Sequence, residues 1–247
     1  MKKMDIKKGV NTYRTTAIAV GVVYIAGFVV GIPGNGLIQS ILGAPNRLST
    51  VSANSMLLAI GALLWLMTAA GDAAHGVLMF PILKQHSERI AIGYLASRII
   101  DAVFLAIHVL FVLLQIPLSS EYLKAVAPTT FSLQALSTVS IQAYLYADNL
   151  GWIALGLAGL LLNSLFYRAR LVPRWIAVWG LVGYAIICCG MVSELMGSGL
   201  GLVSELPGGL WEVFVGGWLI VKGFNASAFA SQATRTSHPA ESAAAHS

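Results

Sequence analysis

Charged residues are scarce in this chain, and their scarcity defines its class. Only 10% of the 247 residues are Asp, Glu, Lys or Arg, whereas 57% are hydrophobic; soluble domains carry about 25% charged residues. A chain of this composition cannot cover its surface with hydrated side chains, so lipid must solvate much of it. The composition therefore excludes an ordinary soluble domain and indicates an integral membrane protein.

Cysteine is almost absent, and several well-known site motifs are missing. Cys188 and Cys189 are neighbours within an apolar run. Adjacent helical positions point about 100° apart, which disfavours a disulfide and favours a packing role. The sequence has no phosphate-binding glycine loop, no zinc-binding cysteine set and no serine nucleophile elbow. No cofactor and no catalytic residue are therefore predicted.

Long apolar runs dominate what is present. A transmembrane helix needs about 20 apolar residues, and the runs that qualify cover residues 17–38, 52–83, 90–116, 144–167, 175–196 and 202–221. The prediction is an all-α, polytopic integral membrane bundle with six transmembrane helices, formed by residues 15–224. The semi-polar stretch 118–140 is predicted to hold a short interfacial helix on the outer face. Residues 225–247 form an Ala/Ser-rich tail that is predicted to be disordered.

Basic residues fall at alternate ends of these runs. One side carries Lys84, Arg89, Lys222 and clusters at residues 2–14 and 168–174, whereas the other side holds only Arg47 and Lys124. This asymmetry predicts that both termini, including the basic segment 1–14, are cytoplasmic. Because the basic residues lie at helix ends rather than in a stripe, their expected partner is the lipid bilayer and not nucleic acid.

Four ionisable residues are predicted to lie at bilayer depth: Asp72, Arg98, Asp101 and Glu212. Each costs about 2.5–3.5 kcal/mol on insertion scales when centred in a helix, whereas a leucine returns about 0.3–0.6 kcal/mol. Such residues therefore persist only with partners or a function. At 1.5 Å per residue, all four lie about 12–16 Å from the cytoplasmic helix ends. They are predicted to meet at one level inside the bundle.

Neighbouring polar residues join this predicted cluster. Tyr24 and Tyr184 fall near the same level, and His75 lies about one turn closer to the cytoplasm. Tyr94 shares one helical stripe with Arg98, Asp101, His108 and Gln115. The full set of candidate residues for ligand binding is Asp72, Arg98, Asp101, Glu212, His75, Tyr94, Tyr24 and Tyr184.

The charge balance of the cluster is uneven, because three carboxylates share one permanent cation. Arg98 and Asp101, at i and i+3, can pair within one helix. One of Asp72 and Glu212 is then expected to hold a proton or to bind a cation at neutral pH. Asp72 and His75 are spaced as a workable metal-ligand pair. His108 lies about 17 Å further along the bundle axis, which disfavours both a metal site and a bridged haem.

Three functional hypotheses remain. The leading one is a small-solute or proton/cation-linked transport or ligand-binding protein that uses the buried cluster. The alternative is a structural or regulatory membrane protein in which the ion network only packs the bundle. The third is a membrane-embedded metal-dependent enzyme, with the balance leaning against an enzyme. Glycine-rich faces at residues 156–159 and 180–190 explain close helix contact and allow an oligomer.

Two further groups of residues, two glutamates and five tryptophans, are expected to have no role in a site. Glu194 and Glu205 are expected to be hydrated beside the outer loop between the last two helices. An interfacial aromatic belt is the expected role of Trp152, Trp175, Trp179, Trp211 and Trp218.

Three stretches resemble one protein family. They are residues 80–94 (FPILKQHSERIAIGY), which continue to Arg98 and Asp101, residues 166–175 (FYRARLVPRW), and residues 218–224 (WLIVKGF), preceded by Glu212. Over about residues 15–224 the chain resembles the bacterial membrane family called domain of unknown function 4386. That family usually has Glu three residues after the Arg, where this chain has the shorter Asp101. The resemblance implies a multi-pass protein of the bacterial cytoplasmic (inner) membrane and implies no activity.

Overall fold

The structure is a computed structural model that describes residues 2–225 and Ala228, with the backbone alone for residues 2–12. Within these residues the chain forms seven helices and no strand. The predicted tail 225–247 lies outside the described residues except for Asn225 and Ala228. The helices are α1 (Lys2–Leu42), α2 (Arg47–Ala53), α3 (Ser55–Lys84), α4 (Glu88–Lys124), α5 (Thr129–Ala169), α6 (Arg174–Leu195) and α7 (Gly201–Val221).

Five of the described helices are long and apolar enough to cross a membrane, judged by length and composition. These spans are Tyr13–Leu42, Ser55–Lys84, Glu88–Lys124, Thr129–Ala169 and Arg174–Leu195. The all-helical membrane class follows from them. The helix α7 is not among the five, since Glu205, Glu212, Pro207 and several glycines dilute its apolar residues.

The helices form a closed ring. Each long helix packs against the next, in the order α1, α3, α4, α5, α6 and α7, and α7 returns to α1. The short α2 lies against α4 and α1. Indole N–H groups join α6 to α7: Trp211 donates to the carbonyl of Ile176 at 2.6 Å, and Trp179 donates to that of Pro207 at 3.2 Å. The ring therefore closes through α7.

Close contact between α1 and α7 depends on glycine. A Cβ atom at Gly21 would lie 2.5 Å from the carbonyl oxygen of Gly216, so no larger residue fits there without moving a helix. At the same end, the Arg14 guanidinium donates to the carbonyls of Leu219 at 3.1 Å and Ile220 at 2.6 Å. These contacts fix the first long helix to the last one.

Most of the basic residues lie at one end of the ring, which we call the basic end. Tyr13 donates to Gln85 at 2.9 Å, and Asn225 N–H donates to the carbonyl of Leu171 at 2.8 Å. The first bond joins α1 to the α3–α4 turn, and the second joins the chain after α7 to the α5–α6 turn. The opposite end, here the far end, carries Arg47 and Lys124.

The predicted interfacial helix over 118–140 is wrong. The helix α4 continues through Pro117 to Lys124, and α5 begins at Thr129 after a four-residue connection. Polar side chains of this stretch bond between the two helices: Ser137 donates to Gln115 at 2.6 Å, and Ser140 donates to the carbonyl of Phe111 at 3.2 Å. The stretch is semi-polar because two long helices are joined there by hydrogen bonds.

The beginning of the predicted second span differs as well. Residues 52–83 are not one helix, because α2 ends at Ala53 and α3 starts at Ser55. The side-chain amide of Asn54 donates to the carbonyl of Thr50 at 2.9 Å and occupies an acceptor at the end of α2. The helix α3 still has 30 residues, about 45 Å at 1.5 Å per residue, so it is longer than a bilayer core and is expected to tilt or to project from it.

Candidate functional site

A cavity of about 190 Å³ lies inside the ring, with walls from α1, α3, α4, α5 and α7. Asp72, Arg98 and Glu212 form its deep part, about 15 Å from the basic end at 1.5 Å per residue. Glu205 and Trp152 lie about 25 Å from that end by the same count. The cavity wall also includes Ile32, which is 68% exposed, so the cavity reaches the molecular surface beside α1.

Arg98 connects two helices at the deep part of the cavity. It is 3% exposed and forms an ion pair with the carboxylate of Asp72 on α3. Its Nε also donates to the backbone carbonyl of Asp72 at 3.3 Å. Asp101, on the same helix as Arg98, is the more distant partner, at 3.5 Å between Nη1 and Oδ2. The within-helix pair expected from the sequence therefore exists, but the closer contact is between helices.

His75 is held between two tyrosines. Its Nδ1 shares a hydrogen bond with the hydroxyl of Tyr94, and its ring centre lies 4.2 Å from that of Tyr24. His75 is completely buried, and its Nε2 has no hydrogen-bond partner. His75 and Tyr24 line the cavity, whereas Tyr94 stands behind His75 and orients it.

The hydrogen-bond donor to Glu212 comes from α6, a helix that does not line the cavity. The hydroxyl of Tyr184, on α6, donates to its carboxylate at 2.6 Å. Gly159 on α5 makes room for Tyr184, because a Cβ atom at that position would overlap the phenol ring. Among the residues that the structure describes, no basic side chain forms an ion pair with Glu212 or with Glu205.

The structure thus brings most of the candidate residues to one place. The cavity is lined by Tyr24, Asp72, His75, Arg98, Asp101 and Glu212. Tyr94 and Tyr184 do not line it but hold His75 and Glu212.

Several cavity residues were not predicted from the sequence. Glu205 was assigned to a hydrated outer loop and Trp152 to the interfacial belt, yet both line the cavity. Trp211, also assigned to the belt, is fully buried and donates to the α6 backbone. The signal for Glu205 was its spacing, because seven residues separate it from Glu212 on α7 and place both on one helical face.

A second polar pair, of which one partner is buried and the other half-buried, lies nearer the far end. His108 on α4 and Asp148 on α5 are 3.1 Å apart between Nδ1 and Oδ1. The rings of Trp65 and Tyr144 lie 5.7 Å and 4.9 Å from the His108 ring, between centres. The partner Asp148 was missed, although counting helical rise puts both residues about 30 Å from the basic end.

The third hypothesis depends on residues that could hold a metal ion. Within them, no group of three or more His, Cys, Asp or Glu residues is arranged to hold a metal ion. Asp72 is engaged by Arg98, and the Nδ1 of His75 is engaged by Tyr94. The pair suggested by their spacing therefore keeps the Nε2 of His75 available but has no third ligand of these types in this part of the chain.

Long apolar helices around a buried ion cluster define the class as a helical membrane protein. The chain matches the family described as Domain of unknown function (DUF4386) over residues 19–223, and it belongs to that family. This confirms the resemblance seen in the sequence. No curated protein and no solved structure matches the chain.

Proposed function

We propose that this protein crosses the bacterial cytoplasmic membrane six times, with the basic end inside, and binds a small solute in the cavity. The observation that carries the proposal is the cavity itself, which gathers four carboxylates and one guanidinium inside an apolar ring. The distribution of basic residues supports the orientation. The position of α7 between α6 and α1 supports its role as the sixth span.

The size of the cavity suits a small organic solute. A cavity of about 150 Å³ in another protein holds benzene, so 190 Å³ has room for a solute somewhat larger than that. Buried side chains such as Met79, Tyr94, Leu162 and Trp211 fill the ring toward the basic end. A solute therefore reaches the cavity from its far half, which is the outer half in the proposed orientation. This one-sided arrangement is compatible with a transporter or a ligand-binding protein.

A structural role is the second candidate, and the Arg98 contacts favour it. A guanidinium buried between Asp72 and Asp101 fixes α3 against α4 without needing a ligand. Such a network does not account for Glu205 and Glu212, which line the cavity without a basic partner among the described residues. The two candidates differ in whether water and solutes reach the cavity.

Alkylation of an introduced cysteine tests this difference. In a variant with Cys188→Ala and Cys189→Ala, Gly27→Cys places a thiol on the cavity wall, where a Cβ atom meets no other atom within 4 Å. Ala26→Cys is the matched control, because Ala26 is the preceding residue, lies at the same depth and is exposed on the outside of the ring.

Iodoacetamide, a small neutral reagent, reacts with thiolates, and a thiol in hydrocarbon stays protonated. In proteoliposomes we expect Gly27→Cys to be alkylated at least about tenfold faster than Ala26→Cys, since only the cavity is hydrated. Equal, slow alkylation of the two variants would show that the cavity is closed to solutes and would favour the structural role.

A further inference from the structure

We infer that the ligand of the cavity is a small organic monocation, with an ammonium group on a compact apolar body. This inference rests on the proposed function and specifies its ligand. It follows from the charges, the ring systems and the unpartnered polar atoms that the cavity presents, each of which narrows the chemistry of the ligand.

The charges of the wall favour a cation. Asp72, Asp101, Glu205 and Glu212 line the cavity, and Arg98 is the basic residue among its lining side chains. Arg98 is already shared between Asp72 and Asp101, so two carboxylates face the space without a cation. In a site with low dielectric, a positive ligand favours the ionised form of these carboxyl groups and gains from their charge, whereas an anion gains nothing from them.

The rings of the wall favour an organic cation over a bare metal ion. Tyr24, Phe28, Trp65 and Trp152 line the cavity with the carboxylates. Aromatic faces attract ammonium groups and provide apolar contact for an organic body. Metal cations such as Ca²⁺ instead require a close shell of six to eight oxygen ligands. The described residues contain no group of three His, Cys, Asp or Glu arranged for a metal.

Two buried polar atoms point to a ligand that also carries a hydrogen-bonding group. Trp65 is 8% exposed and His75 is fully buried, and both line the cavity. The indole Nε1 of Trp65 and the Nε2 of His75 have no hydrogen-bond partner. Buried polar atoms are normally paired, so a ligand with a hydroxyl group that reaches these two side chains would satisfy an unmet hydrogen bond.

The test uses three probes of nearly equal shape and different charge. Choline is a cation with a hydroxyl group, 3,3-dimethylbutan-1-ol is its neutral isostere, and 3,3-dimethylbutanoate is an anion of similar bulk. Binding of each probe to the full-length protein in nanodiscs is measured by isothermal titration calorimetry. We expect choline to bind at least about tenfold more tightly than the neutral alcohol, and the anion not to bind.

Matched variants locate the binding. Gly27→Leu fills open space in the cavity wall and should abolish choline binding, whereas Ala26→Leu on the outer face should leave it unchanged. Glu205→Gln should weaken choline binding about tenfold without changing the affinity of the neutral alcohol. Glu121→Gln is the charge control, because Glu121 is exposed and pairs with Lys124 outside the cavity.

The outcomes separate this inference from the proposed function. If the neutral alcohol or the anion binds as tightly as choline, and Gly27→Leu abolishes that binding, the cavity is a solute site but the ligand is not a cation. Binding of choline that is unaffected by Gly27→Leu lies elsewhere and overturns the inference. If no probe binds, the inference is also overturned, and alkylation at Gly27→Cys decides independently whether solutes reach the cavity.

Discussion

Arg98 is the residue on which the buried charge balance depends. It is almost completely buried, pairs with Asp72 across helices and lies 3.5 Å from Asp101 on its own helix. Two desolvated carboxylates beside one guanidinium are tolerable only while the guanidinium is present, because an unpaired buried charge is costly. Removing Arg98 should therefore cost more than removing either acid.

We predict that Arg98→Met lowers the free energy of unfolding by about 3–5 kcal/mol, the usual cost of leaving a buried charge without its partner. Denaturation in mixed micelles measures the effect. Arg89→Met, at an exposed position on the same helix, serves as the control and should be close to wild type. An Arg98→Met protein as stable as this control would show that the ion pairs contribute nothing to folding.

Substitutions of Glu212 and Tyr184 distinguish a ligand-binding role of the cavity from a structural role. Glu212→Gln keeps an oxygen that accepts from the Tyr184 hydroxyl, so we predict a change in unfolding free energy of less than about 1 kcal/mol, together with weaker choline binding. Tyr184→Phe leaves the Glu212 carboxylate without its donor and should cost about 1–3 kcal/mol. The same unfolding assay and calorimetry measure both. A Glu212→Gln protein with reduced stability and unchanged binding would favour the structural role.

Part of this residue-scale picture was accessible from the sequence. Counting helical rise placed Asp72, Arg98, Asp101 and Glu212 at one level because the rise per residue is nearly constant. The closer partner of Arg98 could not be chosen in this way, since it depends on how α3 and α4 are rotated about their axes. The same count of helical rise could have predicted that His108 and Asp148 lie at one level.

At the scale of elements, helix ends were harder to predict than helix interiors. Pro117 was taken as the end of a helix, but α4 continues past it to Lys124. A proline removes one backbone hydrogen bond, and neighbouring helices and Ser or Thr side chains can compensate in a membrane protein. Apolar periodicity alone contains no information about such compensation.

The C-terminal end of α7 is completed by a residue from α1. Arg14 donates to the carbonyls of Leu219, Ile220 and Val221 at 2.6–3.2 Å. The last carbonyls of a helix have no partner within that helix and are stabilised by a nearby cation. From the sequence, Arg14 was only a topology signal, because its contact with α7 exists only once the ring has closed.

We predict that Arg14→Met lowers the free energy of unfolding by about 1.5–3 kcal/mol, the usual contribution of hydrogen bonds to a charged group. Lys84→Met is the control, since it removes the same charge at the same end but breaks an exposed ion pair with Glu88 and a contact with the Phe80 ring, and no helix cap. Equal stability of both variants, measured by denaturation in mixed micelles, would mean that the cap does not hold α1 to α7.

At the scale of the whole molecule, the ring explains how a chain with so few charges protects five of them. The long helices contact one another in the order α1, α3, α4, α5, α6, α7 and back to α1. The charged cavity residues therefore face an interior that no single pair of helices could enclose. The helix α7 is the one long helix of this wall that is not among the five apolar spans, and it contributes Glu205 and Glu212. A helix shielded on two sides by neighbours needs less apolar surface than one surrounded by lipid.

The position of α7 in the ring predicts how many times the chain crosses the membrane. If α7 crosses the membrane, the number of spans is even and both termini lie on one side, which is the cytoplasm in the proposed orientation. If α7 does not cross, the chain after α7 lies on the opposite side, which is outside in that orientation. We expect alkaline phosphatase fused after Ser198, in the α6–α7 connection at the far end, to be active, because this enzyme works only outside the cytoplasm. Green fluorescent protein fused after Ser247 should fluoresce, because it matures in the cytoplasm. A fluorescent fusion after Arg170, in the α5–α6 turn at the basic end, is the positive control.

Phosphatase activity after both Ser198 and Ser247 would contradict the six-span arrangement and leave α7 on the outer surface. That outcome would also separate Arg14 from the carbonyls of Leu219 and Ile220, and Tyr184 from Glu212. A topology result therefore bears on the cavity as well, since the wall that carries Glu205 and Glu212 exists only if α7 lies alongside α6 and α1 within the membrane.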